Sequence, residues 1–391
     1  MARIRGEKAG LWCRHRSLER PQEVTRMPNG KNAQRPETTG PFHRAPRKRY
    51  PWRIALAVLG TVLVVAVAAV GIFAFSLTRA FDGGTEKISN AYPKEASRPK
   101  AITAPQGAAT PSSAQGAVPA GQAQNILLLG SDTKGATGTQ LANVSDEHSD
   151  TLMVVHVPAD HKNLYVMAIL RDSLVEVPGH GHAKIRTAIS LGGVPLAVQT
   201  VETLLGARID HVAVVNFSGF EQVTDALGGV DINNPISFDS DHLKGHHFDK
   251  GSQHLTGAEA VAFARERAAF QDGDVQRVRN QQLLISGLLM GAMRNSMLSD
   301  PVKTSGLLGT VTPFLAVDDG LNSAYLASLA WALRDVPEKQ VTFFMMPIAG
   351  SEASSDGQAI VHVDWARLAV VQQGFQTDTL AAYDRELKTM R

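Results

Sequence analysis

Ile54 to Leu77 runs for 24 residues without a charge or a proline, and no other stretch constrains the chain as much. At about 1.5 Å per residue it spans a hydrocarbon core of roughly 30 Å with slight tilt, so the sequence predicts one transmembrane helix over residues 54–77. A cleaved signal peptide has a shorter apolar run, about 7 to 15 residues, ending in a small-residue cleavage site. The flanks set the orientation. Arg44, Arg47, Lys48, Arg49 and Arg53 crowd the N-terminal side, whereas Arg79 and Lys87 are offset by Asp82 and Glu86. The expectation is a single-pass protein of the cell membrane, N-terminus cytoplasmic, with everything after Leu77 extracellular.

A net charge of +2 conceals two electrostatic halves. Of 39 Lys and Arg and 37 Asp and Glu, residues 1–53 hold 14 and 4, leaving 25 and 33 for the remainder. Rich in Arg, Pro, Asn and Gln and without apolar periodicity, residues 1–53 are expected to be a disordered basic cytoplasmic tail. No helix-turn-helix pattern or zinc spacing accompanies these cations, so the expected contact is anionic lipid and not nucleic acid. Nothing before Met27 has structural content, which makes Met27 an alternative start. Cys13, the only cysteine, excludes an intrachain disulfide. Residues 78–123, dominated by Ala, Pro, Ser, Gly and Gln, are expected to form a flexible extracellular linker. A folded domain over 124–380 and a C-terminal tail over 381–391 complete the expected organisation.

The domain opens at Asn125 with ILLLG, a short apolar run that reads as a buried strand delivering Ser131 and Asp132 to its carboxyl end. Ser149-Asp150-Thr151 leads into a second strand, Leu152 to Val157, and a third, Leu164 to Leu170, ends in Arg171-Asp172. Ligands of open α/β sheets collect at such ends. Helix Pro195 to Leu205, strand His211 to Phe217, a helix opened by a capping box at Ser218 to Glu221, strand Val341 to Met346 and a last helix near Asp364 continue the alternation. It predicts an α/β protein with a single layered α-β-α domain and a mixed sheet. The GSDTKGATG loop lacks the Walker spacing and is not read as a nucleotide loop.

Phe263 to Gln282 sets four arginines beside two helix ends. Thr256 and Glu259 form a capping box for the first helix, and Asp274 is the expected N-cap of the second, on which Arg277 and Gln281 share a face. Leu284 and Leu288 are expected to continue that face into an apolar pocket of about 300 to 1,000 Å³ or larger, a shape suited to a phosphate head group with a greasy tail. The plainer reading is surface ion pairing of these arginines with Glu266, Asp272 and Asp274. Histidines at 242, 246, 247 and 254 fall among glycines and read as loop residues, not zinc ligands.

In this order NILLLGSD, SDTLMVVHV, RDSLVEVPGHG, AKIRTAISLGG, LLGARIDHVAVVNFSGFEQVTDALGGVDI, QHLTGAEAVAFARER and DGDVQRVRNQQ resemble the LytR-CpsA-Psr family, and the rest of the domain looks like the C-terminal portion of its actinobacterial members. The resemblance implies a membrane-anchored, Mg²⁺-dependent phosphotransferase that moves a glycopolymer from a polyprenyl-pyrophosphate carrier onto peptidoglycan. It also implies site residues: Asp132 and Asp150 for the metal, Arg171 and Asp172 as the central catalytic pair, and Arg265, Arg267, Arg277, Gln281 and Lys184 around the substrate. One of Asp132, Asp150 or Asp172 would be the base. A non-catalytic polyprenyl-glycan-binding or regulatory module is the alternative. The chain departs from the family pattern at Lys134, Arg186 and Asn280, where arginine, asparagine and arginine are usual, which predicts altered head-group geometry.

Overall fold

The computed structural model describes residues 75–76, 78–101, 118–119, 121–131, 149–294, 309–353 and 359–390. The predicted transmembrane stretch, the basic tail and Lys134 lie outside them, apart from Phe75 and Ser76.

In chain order the strands of the first half are β1 (Glu86–Lys87), β2 (Gln124–Ser131), β3 (Ser149–Val157), β4 (Leu164–Ile169) and a hairpin of β5 (Leu174–Val177) and β6 (Gly181–Lys184). Helix α1 (Thr187–Leu205), strand β7 (His211–Asn216) and helix α2 (Phe217–Ala226) follow. Four short strands, β8 (Val230–Asn234), β9 (Phe238–Asp239), β10 (His247–Phe248) and β11 (Gly251–Leu255), lead into α3 (Gly257–Arg265) and α4 (Gly273–Arg294). The chain closes with β12 (Leu315–Val317), α5 (Ser323–Leu333), β13 (Val341–Met345), the hairpin β14 (Ile348–Ala353) and β15 (Ala359–Val363), α6 (Trp365–Thr377) and a short α7 (Asp384–Leu387).

Seven strands form the central sheet in the order β1-β12-β7-β2-β3-β4-β13, with parallel and antiparallel pairs mixed as expected. Period-two alternation distributes its side chains. Leu127, Leu129, Leu152, Val154, Tyr165 and Met167 point to a core closed by α1 and α6, while Met153, Val157, Val166 and Ala168 point to one closed by α4 and α5. Because both faces are covered, the strands read as unbroken apolar runs. A third, satellite core of Phe238, Phe248, Phe263 and Leu284 joins α3 and α4 to the short strands.

Local signals account for most element ends. The Thr256 and Glu259 side chains cap α3 reciprocally. Helix α2 starts earlier than its expected box: Asn216 is the cap, its side chain accepting the Gly219 N–H at 2.7 Å, which takes Phe217 out of the strand. Helix α1 also starts earlier than Pro195, as two helical segments joined at Gly192 and Gly193, the latter at φ 64°. Pro195 follows that kink, where a first-turn proline costs no hydrogen bond. Long and apolar enough to cross a membrane by composition, α1 is a core helix of the domain.

Two segments depart from their predicted character. Residues 86–98, read as linker, belong to the domain. Strand β1 pairs in parallel with β12, Ile88 and Ala91 lie in the main core, and Arg98 makes a buried ion pair with Glu202 at 2.8 Å. Of the segment 381–391, read as a tail, the described residues 381–390 pack as well: Leu387 and Met390 enter the main core, and the Met390 carbonyl accepts the Met345 N–H at 2.8 Å. In both segments a few apolar anchors sit within a polar or small-residue composition, which averages them away.

Candidate functional site

Strands β2, β4, β7 and β13 are mutually parallel, so their carboxyl ends share one edge of the sheet, and β3, antiparallel to its neighbours, begins there. At that edge β2 ends at Ser131, the residue before Asp132. Gly130 faces Thr151 while Ser131 faces Ser149, leaving Asp150 as the extra residue of a bulge, a device that bends a strand and re-aims its side chains. Asp132 lies outside the described residues, and Asp150 is described by its backbone alone.

Immediately after β4, Arg171 and Asp172 enter a cluster of charges. The Asp172 carboxylate lies 3.1 Å from the Arg186 Nε, 3.4 Å from the Arg171 Nε and 3.8 Å from the Lys184 Nζ. Hairpin β5-β6 and the start of α1 supply Lys184 and Arg186. A second carboxylate, Asp274, stands in the first turn of α4, not at its cap, and its Oδ1 lies 3.1 Å from Arg277, 3.8 Å from Arg267 and 3.9 Å from Arg171. Among the described residues, five cations thus converge on two carboxylates, with Arg171 reaching both. Arg277 is only 4% exposed, so its charge stands where water screens little.

Helix α4 continues from this cluster into an apolar cavity of about 190 Å³. Positions 277, 281 and 285 recur every fourth residue, so Arg277, Gln281 and Ile285 share one face. Gln281 and Ile285 line the cavity with Leu128, Met153, Phe217 and Phe220. Leu284 and Leu288 do not line it; they pack against the satellite core, so the cavity is smaller than the sequence predicts. Gln281 is 4% exposed, donates to the Ala264 carbonyl at 3.4 Å, and accepts no hydrogen bond at Oε1 among the described residues. Arg265 lies 5.2 Å over the ring of Phe217, at the cavity wall.

The structure therefore brings Arg171, Asp172, Lys184, Arg267 and Arg277 into one charged cluster and Gln281 to the adjoining cavity, with Arg265 over Phe217 of the cavity lining. It adds Asp274 and Arg186 as members of that cluster. Asn280 faces away from both: fully buried, it donates to the Phe263 carbonyl at 3.1 Å and accepts from Gln276 at 3.0 Å. The departure there ties α4 to α3 and leaves the cluster intact. Glu266 does not pair with the arginines either. Buried, its carboxylate accepts the N–H groups of Asp241, Arg267, Ala268 and Ala269 and so shapes the loop that presents Arg267. The signal for Ile285 was in the sequence as the every-fourth-residue spacing; nothing in it marked Glu266 as a loop former. His247 and His254 pair with Asp239 and Asp231, each at 2.7 Å.

A sheet edge that gathers strand ends, a charged cluster and a greasy cavity defines a class, and the sequence of the domain agrees with it. The chain belongs to the LytR_cpsA_psr family, whose sequence model matches residues 87–376. It is 38% identical over 177 residues to the polyisoprenyl-teichoic acid–peptidoglycan teichoic acid transferase TagU of Bacillus mycoides, covering 45% of this chain and 55% of that one. Against the cell wall biosynthesis protein LcpA of Corynebacterium glutamicum it is 28% identical over 282 residues, 62% of this chain and 53% of the relative. The chain thus spans about half the length of these curated relatives. Among solved structures, TagV of B. subtilis superposes with a TM-score of 0.56 at 24% identity, over 66% of this chain and 97% of TagV, and so matches in fold. TagT bound to LIIa-WTA superposes with a TM-score of 0.53 at 25% identity, over 71% of this chain and 99% of TagT.

Proposed function

We propose that the protein is a membrane-anchored phosphotransferase, held by residues 54–77, that transfers a glycopolymer from a polyprenyl-pyrophosphate carrier to peptidoglycan. The observation that carries this reading is the continuity of α4: one helical face passes from Arg277 in the cation cluster through Gln281 to Ile285 in the apolar cavity. Pyrophosphate suits the first part and the head-proximal end of a prenyl chain the second. The names of TagU and of the TagT complex support the donor class.

In this scheme Arg171, Arg267 and Arg277 hold the pyrophosphate oxygens, for which guanidinium offers paired, planar donors. Asp172 and Asp274 orient those cations and offset their mutual repulsion. An acceptor hydroxyl of peptidoglycan, by family resemblance the 6-hydroxyl of N-acetylmuramic acid, attacks the sugar-proximal phosphorus. The bond to the bridging oxygen breaks, polyprenyl phosphate leaves, and the hydroxyl proton passes to a carboxylate. Asp172, shared among three cations, is committed to orienting them, which leaves Asp132 or Asp150 as base. Ser131 at the end of β2 pairs with Ser149 at the start of β3, and Asp132 and Asp150, the next residues in sequence, are hard-oxygen donors of the kind that suits Mg²⁺, which commonly uses one or two carboxylates and keeps waters. When bound there, the ion would neutralise charge on the pyrophosphate oxygens.

The test is release of polyprenyl phosphate from a lipid-pyrophosphate-linked glycan by the full chain in vesicles containing a peptidoglycan acceptor. Turnover that needs a divalent cation and fails in Arg171→Ala is expected. Undiminished lipid binding with no turnover by the parent chain would favour the non-catalytic binding module.

A further inference from the structure

Helix α5 carries no charged side chain in its eleven residues, although it lies on the outside of the domain. Tyr325 is buried, and Leu326, Leu329 and Leu333 pack partly buried toward the sheet. Facing outward are Ala324, Ala327 and Trp331, and Arg334 follows just beyond the helix. Spacings of three and four place these residues on one face, where a surface helix ordinarily carries charge. Trp331 is 69% exposed, and the Arg334 guanidinium lies 4.1 Å over its ring. Arg334 also donates to the Trp331 carbonyl at 2.7 Å and pairs with exposed Asp335 at 3.1 Å.

We propose that this face of α5 rests in the headgroup layer of the bilayer that holds residues 54–77, with the Trp331 ring at the level of the lipid carbonyls and Arg334 among the phosphates. The inference rests on the anchor in the reading above. What selects a membrane over another partner is the tether. Asp82 accepts the Ser323 N–H and the Ser323 hydroxyl, each at 2.8 Å, and so fastens the chain to the N-terminus of α5. Phe81 and Thr85 are buried on either side of that contact, and residues 78–84 are helical. From Leu77 to Asp82 is at most about 18 Å of fully extended chain and about 7.5 Å of helix. Trp331 lies about 12 Å further along α5. Such a short tether holds the N-terminal end of α5 near the bilayer and keeps Trp331 within about 30 Å of its surface, within reach of the headgroup layer that suits Trp and Arg side chains.

The arrangement also bears on the site. Helices α5 and α4 cover the same face of the sheet, so the layer that holds the cation cluster and the cavity is the layer beside the membrane.

The experiment uses the full chain in vesicles of phosphatidylcholine and phosphatidylglycerol doped with a lipid carrying a nitroxide near its headgroup. Trp12, Trp52 and Trp365 are replaced by Phe, leaving Trp331 as the reporter, and a sister chain keeps Trp52 alone to report the anchor. Loss of most Trp331 emission, with a blue shift, is expected whenever Trp52 is quenched. Quenched Trp52 beside unquenched Trp331 overturns the proposal and leaves the anchor standing, whereas two unquenched reporters overturn both. Unquenched Trp331 together with chain-to-chain crosslinking through Ala327→Cys, in a Cys13→Ser background, would assign the face to a second copy and overturn it. Transfer is measured separately on the same chains, so a failed transferase reading does not alter the quenching result.

Discussion

Arg171 reaches two carboxylates that otherwise hold separate sets of cations, which makes its planar fork the link between the sheet edge and α4. Replacing it with Ala is expected to lower transfer by about 10² to 10³, the usual cost of removing a group that stabilises developing charge. Arg171→Lys should recover little, because a point charge cannot span both carboxylates. Thermal melts of both variants should stay close to the parent while turnover falls. Cavity filling is the complementary test. Ile285→Trp places a bulky ring in the 190 Å³ space, so binding of polyprenyl phosphate, followed by equilibrium dialysis, should weaken while binding of short-chain pyrophosphate to the cations persists. Asp210 offers a pH signature outside the site. Burial raises its carboxyl above the ordinary value, against the opposing pull of the Asn125 N–H and nearby cations. A carboxyl raised in the folded state contributes stability that is fully present below its unfolded value and lost as pH rises through the folded one. Asp210→Asn, which can keep the Asn125 hydrogen bond, should therefore melt above the parent at neutral pH, and the gap should close below about pH 4.

Among the elements, the segment 86–98 has the largest consequence. Arg98 and Glu202 are both almost fully buried, and Glu202 also accepts the Ile209 N–H at 3.0 Å. Arg98→Ala strands the carboxylate and is expected to cost about 3 to 5 kcal/mol in urea unfolding, whereas pairing Arg98→Met with Glu202→Leu should return most of it. Strands β2, β3, β4 and β13 were legible because burial on both faces makes them continuous apolar runs, and α3 because its capping box is local in sequence. The segment 86–98 was not, since Ile88, Ala91 and Arg98 act through partners far along the chain. At the site, Arg171, Lys184, Arg267 and Arg277 were legible as charges. Their convergence was not, because it depends on Asp274 turning inward from a first helical turn, and the face of α4 that meets the cavity is set by packing: Leu284 and Ile285 are equally apolar, and the satellite core takes the first.

For the molecule as a whole, the domain begins near Phe81, not at residue 124. A chain starting at 124 loses β1, Ile88, Ala91 and the partner of Glu202, so it should melt well below one starting at 78, and activity assays on the shorter chain would report instability in place of chemistry. The pairing of Glu86 with Ala316 carries a further consequence, for how the protein is made. Synthesis runs from the N-terminus, so β1 emerges early and its partner strand only after more than half the chain has followed. Until then the sheet cannot be completed at that edge, and such distant pairing is slow because loop closure precedes any return in contacts. Nascent chains should thus pass through a stage in which the inner strands are assembled while the edge beside β7 stands open, a stage at which chaperone capture or misassembly between neighbouring chains is most damaging.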